Sequence, residues 1–209
     1  MKRCYYVRVG EETGCPVTVS DEPWQGDLAV TDASAITADR IFAAARRKLG
    51  LPLLIAETER LILRELWAED QKRFAGLLTE EAELQKAGMN TELLRDQTCL
   101  EAYIRTQYCF FEYGLWGVFL RESRELIGLI GFSPGNPPEL GYYISQKYRR
   151  RGYALEAGRA VFCYAKRELS FGQIALRIER GNTASLALAE ALSHIALAIP
   201  VNLSLKVRQ

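Results

Sequence analysis

The sequence predicts a mixed α/β (α+β) fold, a central mixed β-sheet flanked by helices, with an extra N-terminal segment. Three observations carry this. From Glu57 onward, apolar runs of strand length alternate with runs of helical period. LWGVFL (Leu115–Leu120) and ELIGLIGF (Glu125–Phe132) are apolar or small on both faces, as strands covered on two sides must be. Pro138–Leu169 changes period part-way. Tyr142, Tyr143 and Ile144 are strand formers after a Pro-rich break. From Ala154, the residues Leu155, Gly158, Phe162, Ala165 and Leu169 share one helical face.

The first 56 residues are ordinary in composition and read as an ordered segment. YYVRV (Tyr5–Val9), PVTVS (Pro16–Ser20) and DLAV (Asp27–Val30) have the make-up of short strands. Thr37 is placed to cap a helix from Ala38 to Leu49. Ile41, Phe42, Ala45 and Leu49 form its apolar face, and Gly50 ends it. The segment is too small for a strong core of its own. Residues 1–56 are therefore expected to pack on a main domain spanning 57–209.

That domain opens with the strand ETERLILREL (Glu57–Leu66), followed by a short helix from about Ala68 to Leu78. Residues 79–96 are polar and broken by Gly88 and Asn90, so they read as a loop with short helical pieces. From Thr98, the residues Leu100, Tyr103, Ile104, Tyr108 and Phe111 are in helical phase. The two apolar strands come next, joined by a tight turn at Arg121–Arg124. After the strand, turn and helix of 138–169, QIALRI (Gln173–Ile178) alternates as a strand. GNTASLALAEAL (Gly181–Leu192) reads as a helix capped by Asn182. Two short strands split by Pro200, IALAI (Ile195–Ile199) and VNLSLKV (Val201–Val207), close the chain.

Over 209 residues, 48% are hydrophobic and 25% charged, the balance of a soluble globular protein. A net charge of +1 sets up no global field for nucleic acid or an anionic membrane, so neither is an expected partner. Cys4, Cys15, Cys99, Cys109 and Cys163 are scattered, odd in number and without a CxxC pair. That argues against a disulfide framework and a metal site, and it suits a reducing cytoplasm. No stretch has the length of a membrane span.

The chemistry concentrates at RRRGYA. Arg149, Arg150 and Arg151 meet Gly152 just before a helix. Free N–H groups at such a helix start, beside the positive dipole end, suit a phosphate. The arginines add charge and bidentate donors. A solvated charge run is the bland alternative. His194 is the only histidine, and nothing near it completes a catalytic set. Most aromatics read as core. Tyr113 and Trp116, at a helix-to-strand junction, are candidates to line an acceptor pocket.

These pieces together resemble the GNAT superfamily of acyl-CoA-dependent N-acyltransferases, and within it the RimJ/RimL-like branch, from Glu57 to about Leu192. ETERLILREL is similar to the branch's opening strand and WGVFLRESRELIGLIGF to its central hairpin. Asn182 with Ser185, in NTAS, is similar to the start of its next helix. RRRGYA fits the phosphate signature Q/R-x-x-G-x-G/A through Arg149, Gly152 and Ala154. Alone that match is weak; between a paired strand and a helix, and upstream of NTAS, it is specific.

The resemblance implies acetyl-CoA as cosubstrate and no metal. Its pyrophosphate would lie on the backbone of the loop Arg149, Arg150, Arg151, Gly152, Tyr153 and Ala154. Its pantetheine arm would pair with the strand Tyr142, Tyr143 and Ile144. Asn182 would contact that arm or fix the helix start. The implied reaction is direct attack by a primary amine, either a small molecule or a peptide N-terminus. Glu139 would be the base and Ser185 the donor to the leaving thiolate. Members of the family often form homodimers.

The chain also departs from the family. Many relatives carry the thiolate's acid as a tyrosine in the NxxS helix, where this chain has Leu186, Ala187, Leu188 and Ala189. Leu192, Ser193 and His194 stand where Leu-Gly-Phe is common, and the last strands differ from the usual hairpin. These departures motivate an alternative, a non-catalytic acyl-CoA-binding or sensing protein on the same fold. A nucleotide-binding module ranks lower, because GxxxxGK[ST] and a full GxGxxG are absent.

Overall fold

A computed structural model describes residues 5–8, 18–20, 28–30, 34, 36–198 and 201–208. In chain order the elements are β1 (Tyr5–Arg8), β2 (Thr18–Ser20), β3 (Leu28–Val30), α1 (Ala38–Lys48), β4 (Leu54–Glu57) and β5 (Leu61–Glu65). Then come α2 (Ala75–Leu78), α3 (Glu81–Lys86), α4 (Glu92–Arg95), α5 (Gln97–Tyr103) and α6 (Cys109–Phe111). The rest are β6 (Leu115–Leu120), β7 (Leu126–Ser133), β8 (Glu139–Ile144), α7 (Tyr153–Arg167), β9 (Gln173–Glu179), α8 (Thr183–Ala198) and β10 (Asn202–Arg208).

Seven strands form one mixed sheet in the order β10-β9-β8-β7-β6-β5-β4. Neighbours from β4 to β8 are antiparallel, whereas β8, β9 and β10 run parallel. Parallel neighbours need crossover connections, which α7 and α8 supply. β1, β2 and β3 make a separate antiparallel sheet.

Helices cover both faces of the large sheet. Val161 and Phe162 of α7 and Leu192 of α8 close one core over Trp116, Phe132 and Ile144. Leu77, Leu84 and Leu100, from α2, α3 and α5, close a second over Ile62, Leu66 and Leu129. Along β5, Leu61 and Leu63 belong to the first core and Ile62 to the second, the period-two pattern of a two-sided strand. Each large apolar side chain fully buried this way contributes about 1.5–3 kcal/mol. Gly158 marks the close approach of α7 and α8, since an added Cβ would sit 2.9 Å from Leu192.

Several expectations change. ETERLILREL is a hairpin, not one strand: β4 ends at Glu57 and β5 begins at Leu61. Thr58 closes the turn by accepting from the Leu61 N–H at 3.0 Å. Ala68–Leu78 divides into a 3-10 stretch, Ala68–Arg73, and α2. The helical phase after Leu100 slips at a π-helical turn, Ile104–Tyr108, and leaves Phe111 exposed. Leu155 of α7 is likewise exposed, on the wall of the cleft described below.

IALAI does not form a strand, because α8 runs on to Ala198. A short apolar run does not distinguish helix from strand, and here it extends a helix already begun. Strands β1–β3 fall within the three N-terminal stretches. Cys4, Val9, Cys15, Pro16, Val17, Asp27, Ile199 and Pro200 lie outside the described residues.

In α1, Thr37 caps as expected, accepting from the Arg40 N–H at 3.3 Å. Its buried face, however, is Ala43, Ala44 and Arg47, while Phe42 and Leu49 are 59% and 61% exposed. Arg47 is the reason. It pairs in the interior with Glu65 of β5 at 2.6 Å, which turns the small side of the helix to the sheet. A second ion pair joins Arg40 to Glu112.

Candidate active site

β8 and β9 pair only at Glu139 with Ala175 and Leu140 with Leu176. Beyond that point they part. β8 continues to Ile144 and β9 to Glu179, leaving a cleft of about 670 Å³. On the β9 side, the backbone of Gly141–Ile144 has no strand partner. Such a backbone is an edge that an amide-bearing chain can join.

The wide end of the cleft leads through a 3-10 turn, Gln146–Tyr148, to the arginines. Gly152 then starts α7 with φ +80°, a left-handed conformation that glycine adopts without strain. An added Cβ would meet Arg60 Nη2 at 3.4 Å. The first helical bond runs from the Glu156 N–H to the Gly152 carbonyl. The N–H groups of Tyr153, Ala154 and Leu155 therefore lack intrahelical partners and point at any anion placed there.

Two carboxylates brace this end. Glu156 accepts from Thr58 Oγ1 at 2.6 Å and from Arg60 Nε at 2.7 Å. Burial pushes the Glu156 carboxyl up, but these bonds and the Arg60 charge outweigh it and hold the group below its ordinary range. Arg60 also donates to the Arg151 carbonyl at 2.9 Å and lies 4.6 Å over the Tyr153 ring. Glu80, just before α3, accepts from Tyr143 Oη, from Ser145 Oγ at 2.7 Å and from the Gln146 N–H at 2.9 Å. Burial again pushes its carboxyl up, yet those donors and Arg149 hold it low. Arg149 donates to the Ile144 carbonyl at 2.9 Å and covers the Tyr143 ring at 5.2 Å. It props the loop as well as charging it.

At the narrow end, Glu139 Oε2 accepts from Arg177 Nη2 at 2.6 Å. Tyr142 Oη and Ser185 Oγ share a hydrogen bond of 2.7 Å. The Ser185 N–H donates to Asn182 Oδ1 at 3.0 Å, so Asn182 caps α8. Burial pushes the Tyr142 hydroxyl above its ordinary value, against the opposing effects of Ser185 and Arg149. It is a neutral donor at pH 7.

The cleft thus brings together Glu139, Tyr142, Tyr143, Ile144, Arg149, Arg150, Gly152, Tyr153, Ala154, Asn182 and Ser185. Arg151 is not on its wall; its guanidinium lies over the Tyr148 ring at 5.7 Å. Trp116 is fully buried, and Tyr113 packs on Phe132 and Phe171, so neither lines this cleft. His194 is exposed on α8, off the cleft wall. Arg60, Glu80 and Arg177 are site residues that the sequence does not single out. Their partners are distant in the chain, and only Arg177's place on the polar side of QIALRI is a local signal. Among the described residues, no cluster of His, Cys, Asp and Glu is arranged to hold a metal ion, and no helix is long and apolar enough to cross a membrane.

The acetyltransferase (GNAT) domain family matches residues 60–193. The chain belongs to the GNAT acetyltransferases. It is an acyltransferase. The N-acetyltransferase YoaA of Bacillus subtilis is 28% identical over 136 residues, covering 63% of this chain and 77% of YoaA. A solved acetyltransferase from Agrobacterium tumefaciens is 27% identical with a TM-score of 0.53, covering 65% of this chain and 80% of its own. RimJ of Mycobacterium smegmatis, solved with CoA-disulfide, shares the fold at 15% identity and a TM-score of 0.50, over 62% of this chain and 68% of its own.

GNAT domains use acetyl-CoA, and the cleft of this GNAT protein fits that molecule. The open edge of β8 suits the amides of pantetheine. The α7 N-terminus, with Gly152 leaving space above it, suits the pyrophosphate.

Proposed function

We propose that the protein transfers an acetyl group from acetyl-CoA to a primary amine, a small amine or a peptide N-terminus, by direct attack. One observation carries this reading. Glu139 and the Tyr142–Ser185 pair line the same cleft from opposite faces of β8. Leu140 and Ile144 belong to the core under α7 and α8, and Tyr143 to the other. Strand side chains alternate, so Glu139 shares the Tyr143 face and Tyr142 the opposite one. A base on one side and a donor on the other match a nucleophile arriving and a leaving group departing.

Bound acetyl-CoA supplies an activated thioester. The α7 N-terminus and the Gly152 loop would hold its pyrophosphate, and Gly141–Ile144 its pantetheine. Glu139 takes a proton from the acceptor ammonium, directly or through water, since only the neutral amine is nucleophilic. Its lone pair forms the new C–N bond. A backbone N–H of β8 stabilises charge on the carbonyl oxygen. As the C–S bond breaks, its electron pair goes to sulfur, and the Tyr142–Ser185 hydroxyls donate to the departing thiolate. This pair takes the place of the tyrosine that the NTAS helix lacks.

Steady release of CoA thiol from acetyl-CoA, dependent on an added amine, is the expected result. Tight CoA binding with no turnover across amines and peptides would instead favour the acyl-CoA sensor.

A further inference from the structure

We infer that the acceptor carries a carboxylate beside its amine, and that Arg177 is the residue that selects it; the free α-amino acid is the form that fits. This deepens the acetyl-transfer reading and rests on it. Glu139 is not an isolated base. Its Oε2 is held by Arg177 Nη2 at 2.6 Å across the point where β8 and β9 part. The two side chains are 29% and 40% exposed, so both face the cleft they line.

A simple cationic amine meets a difficulty there. At Oε2 it must displace the guanidinium, which costs the hydrogen bond, and at the other carboxylate oxygen it still sits beside the like charge of Arg177. A zwitterion avoids both costs by exchanging partners. Its ammonium takes the Glu139 carboxylate, and its own carboxylate takes the Arg177 fork. Two ion pairs replace one, and the site's net charge is unchanged. Because the Glu139 oxygen and the Arg177 nitrogen are adjacent, the groups that replace each must be adjacent as well. An α-amino acid has its ammonium and carboxylate on one carbon.

Of the cleft's cations, Arg177 is the one bonded to Glu139, while Arg150 lies in the glycine turn at the other end. Lys86 of α3 lines the same cleft but is paired with Glu83 at 3.2 Å. Arg149 is committed to the Ile144 carbonyl and the Tyr143 ring at the other end. Among the described residues, Arg177 donates only to Glu139, so most of its planar fork remains for a carboxylate. The same pairing chemistry is present in a peptide whose first residue is Asp or Glu, where the side chain brings the carboxylate.

The experiment compares thiol release from acetyl-CoA with free α-amino acids, their carboxamides, the decarboxylated amines and peptides beginning with Asp or Glu. Free amino acids should exceed their carboxamides roughly tenfold or more in kcat/KM, because a site built for a polar group discriminates against its absence. Arg177→Met should bring that ratio close to one, and Arg177→Lys should restore part of it. Melting curves confirm that each variant is folded. Equal or faster reaction of the carboxamides and decarboxylated amines overturns the inference. Peptides outrunning free amino acids overturn the free-amino-acid form. Calorimetric titration of amino acid against carboxamide, with no thioester present, gives an independent reading. If no acceptor turns over yet amino acids bind in preference, the transfer reading fails while the selection of a carboxylate by Arg177 stands; no preference in that titration sinks the selection.

Discussion

The two ends of the cleft are built by different means. At the end formed by the start of α7, Glu80 and Glu156 gather donors from several elements, and Arg60 and Arg149 are each committed to more than one partner. The groups left for a ligand there are backbone N–H groups. At the narrow end two pairs join side chain to side chain, Glu139 with Arg177 and Tyr142 with Ser185, beside the Asn182 cap on the Ser185 N–H. A cofactor common to every turnover is best met by a rigid frame. Proton transfer and acceptor choice need side chains that can change partners.

That contrast sets the order of effects. Gly152→Glu should be the most severe. It puts a side chain and a negative charge where the phosphate is expected and strains a backbone at φ +80°. Calorimetry should show CoA affinity falling by roughly a hundredfold or more while the melting curve stays cooperative. Undiminished affinity would place the cofactor elsewhere. Glu139→Gln should act at the other end alone, lowering kcat by about a hundredfold with the KM for acetyl-CoA within about twofold. A parallel rise in that KM would mean the two ends are not separable.

Tyr142→Phe should be milder, with kcat down about tenfold, because Ser185 keeps its hydroxyl. Burial raises the Tyr142 pKa, so the wild-type proton is retained to higher pH than in free tyrosine. Wild-type kcat should hold level through pH 9; a fall beginning near pH 8 would count against Tyr142 as donor.

Glu80→Gln should be smallest, lowering the melting temperature by about 1–3 °C at pH 7, as suits a partly exposed carboxylate. The sign follows from its lowered folded-state pKa. Its contribution is fully present above the unfolded carboxylate range, near pH 4.3, and is lost as pH falls through the lower folded value. The difference between wild type and variant should therefore shrink toward pH 3. A constant difference would show that the charge is not what holds α3 to the end of β8.

The sequence by itself determined the order of elements from β5 to α8, the two-sided hairpin β6–β7 and the strand, glycine turn and helix that run from β8 into α7. Those rest on local rules of period, turn chemistry and capping, which need no knowledge of distant residues. Where a run was short and apolar throughout, as at IALAI, the rule lost its power. Where a charge was buried, as at Arg47, the apolar face was misplaced. Tertiary structure alone decided the rest. The parting of β8 from β9 depends on how two strands separated by a helix meet. The pairs Glu139–Arg177, Tyr142–Ser185 and Arg60–Glu156 join residues far apart in sequence. No local pattern encodes such a pairing, because the free energy that makes it comes from the fold that brings the partners together.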